Sequence, residues 1–215
     1  MSEEAKARED LTRLAKSIFD RGLTCGSSGN ISVRMSDGTI LITPTGSSMG
    51  FLDPAQISLI SPEGVHLAGD KPTKEIPLHT AFYDTRPSAG AVVHLHCTYA
   101  VALSMLPDID RDNVLPTLTP YAIMRLGKVK WLSFFVPGDP AMGAAIRAIA
   151  PTCSAVLLAN HGPVVAGEDL AATVYAMEEF EENAKLAILT RGLNPIGMTE
   201  AQVAQVVKQF NVDYD

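Results

Sequence analysis

Ala91-Val92-Val93-His94-Leu95-His96 decides how the rest of this chain reads. Apolar residues with two adjacent valines predict a buried strand. Side chains alternate along a strand, so residues two apart share a face. His94 and His96 therefore point the same way, close enough to grip one ion. Imidazole is the commonest protein ligand for metals and suits the borderline-soft character of zinc. One strand histidine is ordinarily a hydrogen-bonded core residue; two on one face are harder to explain that way. Cys97 follows directly, but it faces the opposite side and is left out of the set.

Further donors lie at a distance. Glu75 stands upstream in Lys74-Glu75-Ile76-Pro77-Leu78-His79, and His161 stands downstream in Asn160-His161-Gly162. Nothing in the spacing requires these two to converge on the histidine pair. His79 lies four residues after Glu75 and shares its helix face. It reads as a ligand, as a partner of a ligand or as a helix histidine turned to another strand, and the last two are preferred. His66 falls in a hairpin and reads as surface.

Outward from this strand, residues 75–85 form a helix that ends before Pro87, and residues 98–105 form another. Near the start, Leu11, Leu14, Ala15 and Ile18 recur at helical spacing over residues 3–21, with Gly22 as the stop. Strands are predicted at 31–34 and 39–43 around Ser36-Asp37-Gly38, and at 57–60 and 65–67 around Pro62-Glu63-Gly64. Asp53-Pro54 opens a short helix. Residues 107–127 carry no clear period. A strand is expected at 131–136, a helix from Asp139-Pro140 to 150, and a short buried strand at 154–158. A long helix over 169–191 follows, and Thr199-Glu200 opens the last one. Helices mixed with early hairpins predict an α/β layered fold with a mixed or antiparallel sheet.

Composition narrows the partners. The 215 residues are 47% hydrophobic and 19% charged, enough for one globular domain with a sizeable core. Formal net charge is −7 and there is no Lys/Arg run, which argues against nucleic acid or an anionic membrane surface as partner. No apolar stretch approaches the ~20 residues of a membrane span. Met1-Ser2-Glu3-Glu4-Ala5-Lys6 shows no secretory pattern. Cys25, Cys97 and Cys153 are odd in number and lack C-x-x-C spacing. A reducing, cytoplasmic setting is expected.

Two loops of small residues, Ser27-Ser28-Gly29-Asn30 and Thr45-Gly46-Ser47, can turn backbone N–H groups toward an anion. Each alone more often marks a turn. Lys74 is more telling, because a cation at a helix start opposes the dipole, and a local anion resolves that mismatch.

Taken together, Ser28-Gly29-Asn30-Ile31-Ser32, Ile42-Thr43-Pro44-Thr45-Gly46, Glu75, Val92-Val93-His94-Leu95-His96 and Asn160-His161-Gly162 resemble, in order, the motifs of the class II aldolase/adducin-type family. The resemblance covers roughly residues 11–191. It implies one domain over residues 1–215, a class II aldolase-like three-layer α/β fold with a central, mostly antiparallel sheet flanked by helices. It also implies a homotetramer with active sites between subunits. By this likeness Glu75, His94, His96 and His161 surround one divalent zinc, and Ser28, Gly29, Asn30, Thr45 and Gly46 hold a substrate phosphate. The family's sugar-phosphate aldolases carry two serines before the Glu; here Thr73 and Lys74 replace them. Tyr121 approximates the position of an acid tyrosine that family aldolases take from a neighbouring subunit, or it is an amphipathic subunit contact.

The stretch Pro72-Thr73-Lys74-Glu75-Ile76-Pro77-Leu78-His79 looks most like a subgroup that decarboxylates 3-oxo-tetronate 4-phosphates. The resemblance thus implies a zinc-dependent carbon–carbon lyase giving dihydroxyacetone phosphate and CO2 through a metal-stabilised enediolate, with Glu75 returning the proton. A fuculose-phosphate-type aldolase and a 4-epimerase are the enzyme alternatives. An interaction module like the adducin head is the non-enzyme alternative. That relative is expected to lack a complete metal set, whereas all four donors are present here.

Overall fold

The computed structural model describes residues 2–214. The elements are α1 (Glu3–Asp20), β1 (Asn30–Arg34), β2 (Ile40–Ile42), two single 3-10 turns (Met49–Phe51 and Pro54–Gln56), β3 (Ser58–Ile60), β4 (His66–Ala68), α2 (Ile76–Thr85) and β5 (Ala91–His94). Then come α3 (Thr98–Ser104), α4 (Pro120–Leu126), β6 (Val129–Leu132), α5 (Pro140–Ile149), β7 (Ala155–Leu158), β8 (Gly162–Gly167), α6 (Leu170–Leu189) and α7 (Glu200–Phe210).

The strands form one eight-stranded sheet in the order β4-β3-β2-β1-β5-β8-β7-β6. Every pairing is antiparallel except β6 with β7. Strand alternation sorts the core into two layers. Ala91, Val93 and Leu95 face Leu11, Ile18, Met177 and Phe180 of α1 and α6. Val92 faces Leu78 and Phe82 of α2 and Met142 and Ile146 of α5. Helices thus cover both faces of the sheet, the three-layer α/β arrangement expected from the sequence. β5 ends at His94, short of the His96 expected, but both His94 and His96, two residues past it, turn toward the α2 side, and Cys97 lies buried on the other side. Among the described residues no helix is long and apolar enough to cross a membrane.

Three further expectations are corrected. The strand expected at 131–136 is Val129–Leu132, because its register is set by parallel pairing with β7, Val129 opposite Ala155 through Leu132 opposite Leu158. Strand β8 was not expected from Gly162-Pro163-Val164-Val165-Ala166-Gly167, whose glycine and proline disfavour a central strand. It forms because β5 and β7 bracket it. Helix α4 arises inside the stretch without a period, where Thr119 caps it and Pro120 occupies its first turn.

Candidate metal and substrate site

Helix α2 begins one residue later than the apolar pattern suggests. Glu75 is its N-cap, yet its side chain makes no capping bond. The carboxylate is instead buried and turned to the sheet. There it meets β1 and β5, which pair so that Asn30 stands opposite His94. The turn between β7 and β8 delivers His161. Gly162 makes this possible: at φ +154° its backbone passes so close to the residues just past β5 that a Cβ would stand 2.2 Å from the Leu95 carbonyl oxygen.

Three imidazoles converge. His94 Nε2 lies 3.2 Å from His96 Nε2 and 3.3 Å from His161 Nε2. Glu75 closes the group, with Oε2 3.5 Å from His94 Nε2 and Oε1 3.5 Å from His161 Nε2. His94 Nδ1 lies 2.9 Å from the Pro163 carbonyl oxygen, which accepts only, so Nδ1 carries the proton and Nε2 presents a lone pair. Outer contacts of this kind fix ligand tautomers. Burial lowers the pKa of all three rings, that of His94 to about 4, so each is neutral at pH 7. For Glu75 burial pushes upward, but the facing His94 ring, the Asn30 N–H, His161 and His79 outweigh it and hold the carboxyl below its ordinary range.

The donor set fits a divalent cation. Zinc bound to nitrogen at ~2.0–2.1 Å in a tetrahedral site sets its ligand atoms about 3.3 Å apart, the separation seen among these nitrogens. Glu75 Oε1 is buried with no hydrogen-bond partner, an orphaned negative atom that a cation would satisfy. Glu75, His94, His96 and His161 would hold the ion. Cys97 belongs to the opposite layer, as expected.

In front of the cluster lies a pocket of about 260 Å³. Ser27, Ser28, Gly29 and Asn30 form one wall. Gly29, at φ +82°, keeps this loop against β5, where a Cβ would stand 2.8 Å from the His94 carbonyl oxygen. Pro44, Thr45 and Gly46 form a second wall, tied to the α2 approach by Thr45 N donating to Lys71 O and Thr73 N donating to Thr43 O. Thr73, Lys74 and Glu75 form the third wall, and His96, His161 and Pro137 complete the lining. Seven residues expected to bind substrate therefore share one cavity with Glu75, His96 and His161, while His94 is fully buried behind it. Ser28 spends its hydroxyl on the Cys25 carbonyl, and Lys74 is exposed at the mouth.

Tyr121 is not brought there. It is 57% exposed on α4, and it does not line the chain's own pocket. His66 is exposed on β4, as expected. His79 is fully buried and bonds Asn30 and Ser32, so it is a partner of a site residue rather than a member of the metal cluster. Pro137 was missed from the sequence; the turn signal Pro137-Gly138-Asp139 just past β6 was the available clue.

Comparison with known proteins identifies relatives of this chain. The family model "Class II Aldolase and Adducin N-terminal domain" matches residues 9–188. A 3-oxo-tetronate 4-phosphate decarboxylase of Escherichia coli strain K12 is 45% identical over 204 residues, 94% of this chain and 96% of the relative. An L-fuculose phosphate aldolase of Methanococcus maripaludis is 34% identical over 188 residues, 86% of this chain and 99% of the relative. The crystal structure of YgbL, a putative aldolase/epimerase/decarboxylase from Escherichia coli, superposes with a TM-score of 0.93 at 43% identity, covering 95% of this chain and 99% of that one. The chain belongs to the class II aldolase and adducin N-terminal domain family.

Proposed function

We propose that this protein is a metal-dependent carboxy-lyase that converts a 3-oxo-tetronate 4-phosphate to dihydroxyacetone phosphate and CO2. One observation carries the reading. Three neutral imidazoles and an unpartnered carboxylate oxygen converge behind a pocket whose other walls are glycine and hydroxyl loops. The 45% identity to a decarboxylase of that name selects the substrate class.

Glu75, His94, His96 and His161 would hold a divalent cation, zinc by family likeness, whose positive charge would polarise a bound carbonyl oxygen. The chain's own residues do the rest. Gly29, Asn30, Thr45, Gly46 and Thr73 offer N–H and O–H donors to the phosphate. Lys74, exposed at the mouth beside the start of α2, meets an anionic substrate group. The bond between carbons 1 and 2 breaks, CO2 departs, and the electron pair passes toward the carbonyl at carbon 3. A proton must then be added at carbon 2. Glu75, buried beside the imidazoles, is the group placed to relay it: its carboxylate is ionised at rest, so it first takes that proton from water in the pocket and then passes it to carbon 2. A homotetramer in the cytoplasm completes the proposal, with Tyr121 available on the exposed face of α4 to a second copy.

The 34% identity to an L-fuculose phosphate aldolase favours a second reading, a retro-aldol lyase acting from the same donors. That reaction needs a base to take the hydroxyl proton as its carbon becomes the departing aldehyde, whereas CO2 leaves from a carboxylate that has no proton to lose. Purified protein supplied with zinc should release CO2 and triose phosphate from 3-oxo-tetronate 4-phosphate and leave fuculose 1-phosphate intact. Tyr121→Phe should change that turnover less than about threefold. Rapid fuculose 1-phosphate cleavage abolished by Tyr121→Phe would replace the decarboxylase reading with the aldolase.

A further inference from the structure

A buried line of hydrogen bonds runs from α2 back into the sheet and ends on the proposed metal site. Tyr83 Oη lies 2.8 Å from Ser32 Oγ, and Ser32 Oγ lies 2.7 Å from His79 Nδ1. His79 Nε2 lies 2.5 Å from Asn30 Oδ1, and Asn30 Nδ2 donates to Glu75 Oε2 at 2.7 Å. Ser32 and His79 are fully buried, and Asn30 and Tyr83 nearly so.

The direction of every bond follows from its last member. A carboxylate oxygen only accepts, so the Asn30 amide must turn its NH2 to Glu75 and its oxygen to His79. That oxygen also only accepts, so His79 carries its proton on Nε2. Its Nδ1 is then bare and accepts from the Ser32 hydroxyl, which leaves Ser32 Oγ to accept from the Tyr83 hydroxyl. Four donors point one way, toward a single oxygen of Glu75. The other oxygen, Oε1, has no partner and lies 3.5 Å from His161 Nε2.

We infer that His79, acting through Asn30, is a positioning residue that decides which oxygen of Glu75 is tied back and which is presented to the imidazole cluster. The inference rests on the reading of that cluster as a metal site. If His79 lost its Nε2–H, the Asn30 amide would be free to rotate, its oxygen would meet the carboxylate, and Glu75 would swing. Replacing a partner that orients a ligand typically weakens metal binding ~10–100-fold.

Two measurements test it. Nitrogen-15 NMR of the imidazoles in the metal-free protein should find His79 as the Nε2–H tautomer with Nδ1 unprotonated; an Nδ1–H ring overturns the inference. Chelator competition then reads zinc affinity in the parent, His79→Gln and His79→Leu. Glutamine keeps an N–H near the Nε2 position and should stay within about threefold of the parent. Leucine should bind zinc ~10–100-fold more weakly while still unfolding cooperatively. A leucine variant that binds as tightly as the parent defeats the inference, as does a glutamine variant that loses as much as leucine. The tautomer result stands whether or not the leucine variant folds. A parent that takes up no zinc defeats the metal reading itself, and this inference with it; a parent that binds zinc alongside an unaffected leucine variant removes only the role of His79.

Discussion

At the scale of single residues, the chemistry depends on where lone pairs point. His94 is the clearest case. Its Nδ1 proton is held by the Pro163 carbonyl, so Nε2 has nothing to donate to the two rings it faces. His94→Ala or His96→Ala should each weaken zinc binding by more than roughly 100-fold, beyond the cost of losing an outer partner, and activity should fall in parallel. Metal analysis of protein purified without chelator checks this; stoichiometric zinc with full turnover would make the pair structural. Lys74→Ala should raise KM about tenfold and leave kcat nearly unchanged, because the side chain is an exposed cation at the pocket mouth. Steady-state kinetics reads the split, and an unchanged KM would return Lys74 to ordinary surface. The histidine pair was legible in the sequence because strand period alone puts residues two apart on one face. Glu75 and His161 were not legible from spacing; they came from family likeness, since their convergence depends on a helix start and a turn lying far apart in the chain. The roles of Asn30 and His79 toward Glu75 were hidden for the same reason: cross-strand register and one helix face, not local sequence, bring them together.

At the scale of elements, short connections carry the precision. The turn between β7 and β8 reaches the cluster only because Gly162 lets it touch Leu95 and His96, just past β5. Gly162→Ala would force a Cβ to 2.2 Å from the Leu95 carbonyl oxygen, so a backbone must move. The variant should lose at least about 2 kcal/mol of stability, read as a lower urea midpoint of the metal-free protein. An unchanged midpoint would show that the turn relaxes freely. Helix α1, with its strong period, and the long α6 were readable from the sequence. Those decided by neighbours were not. Val129–Leu132 takes its limits from β7, and β8 exists despite a glycine and a proline because strands on both sides supply its bonds.

At the scale of the whole molecule, buried histidines link stability to acidity. Burial lowers His79 from 6.5 to about 3 and His94 from 6.5 to about 4. In the unfolded chain both take up protons near pH 6.5, while in the folded chain they resist until far lower pH. Below about 6.5 the unfolded state therefore binds more protons, and stability falls with falling pH. The metal-free protein should melt at nearly constant temperature above pH 7.5 and at progressively lower temperature between pH 6.5 and 4. Scanning calorimetry with chelator present measures this, and equal melting temperatures at pH 7.5 and 5 would contradict it. The strand that bears His94 has a second consequence. β5 runs through the interior of the sheet, with β1 and β8 bonded to its two edges and helices over both faces. Its amide protons have no route to solvent short of opening the entire sheet, so they should exchange with deuterium among the slowest in the protein, at the rate of global unfolding. The part of the reactive centre that β5 supplies should therefore persist until the scaffold itself opens.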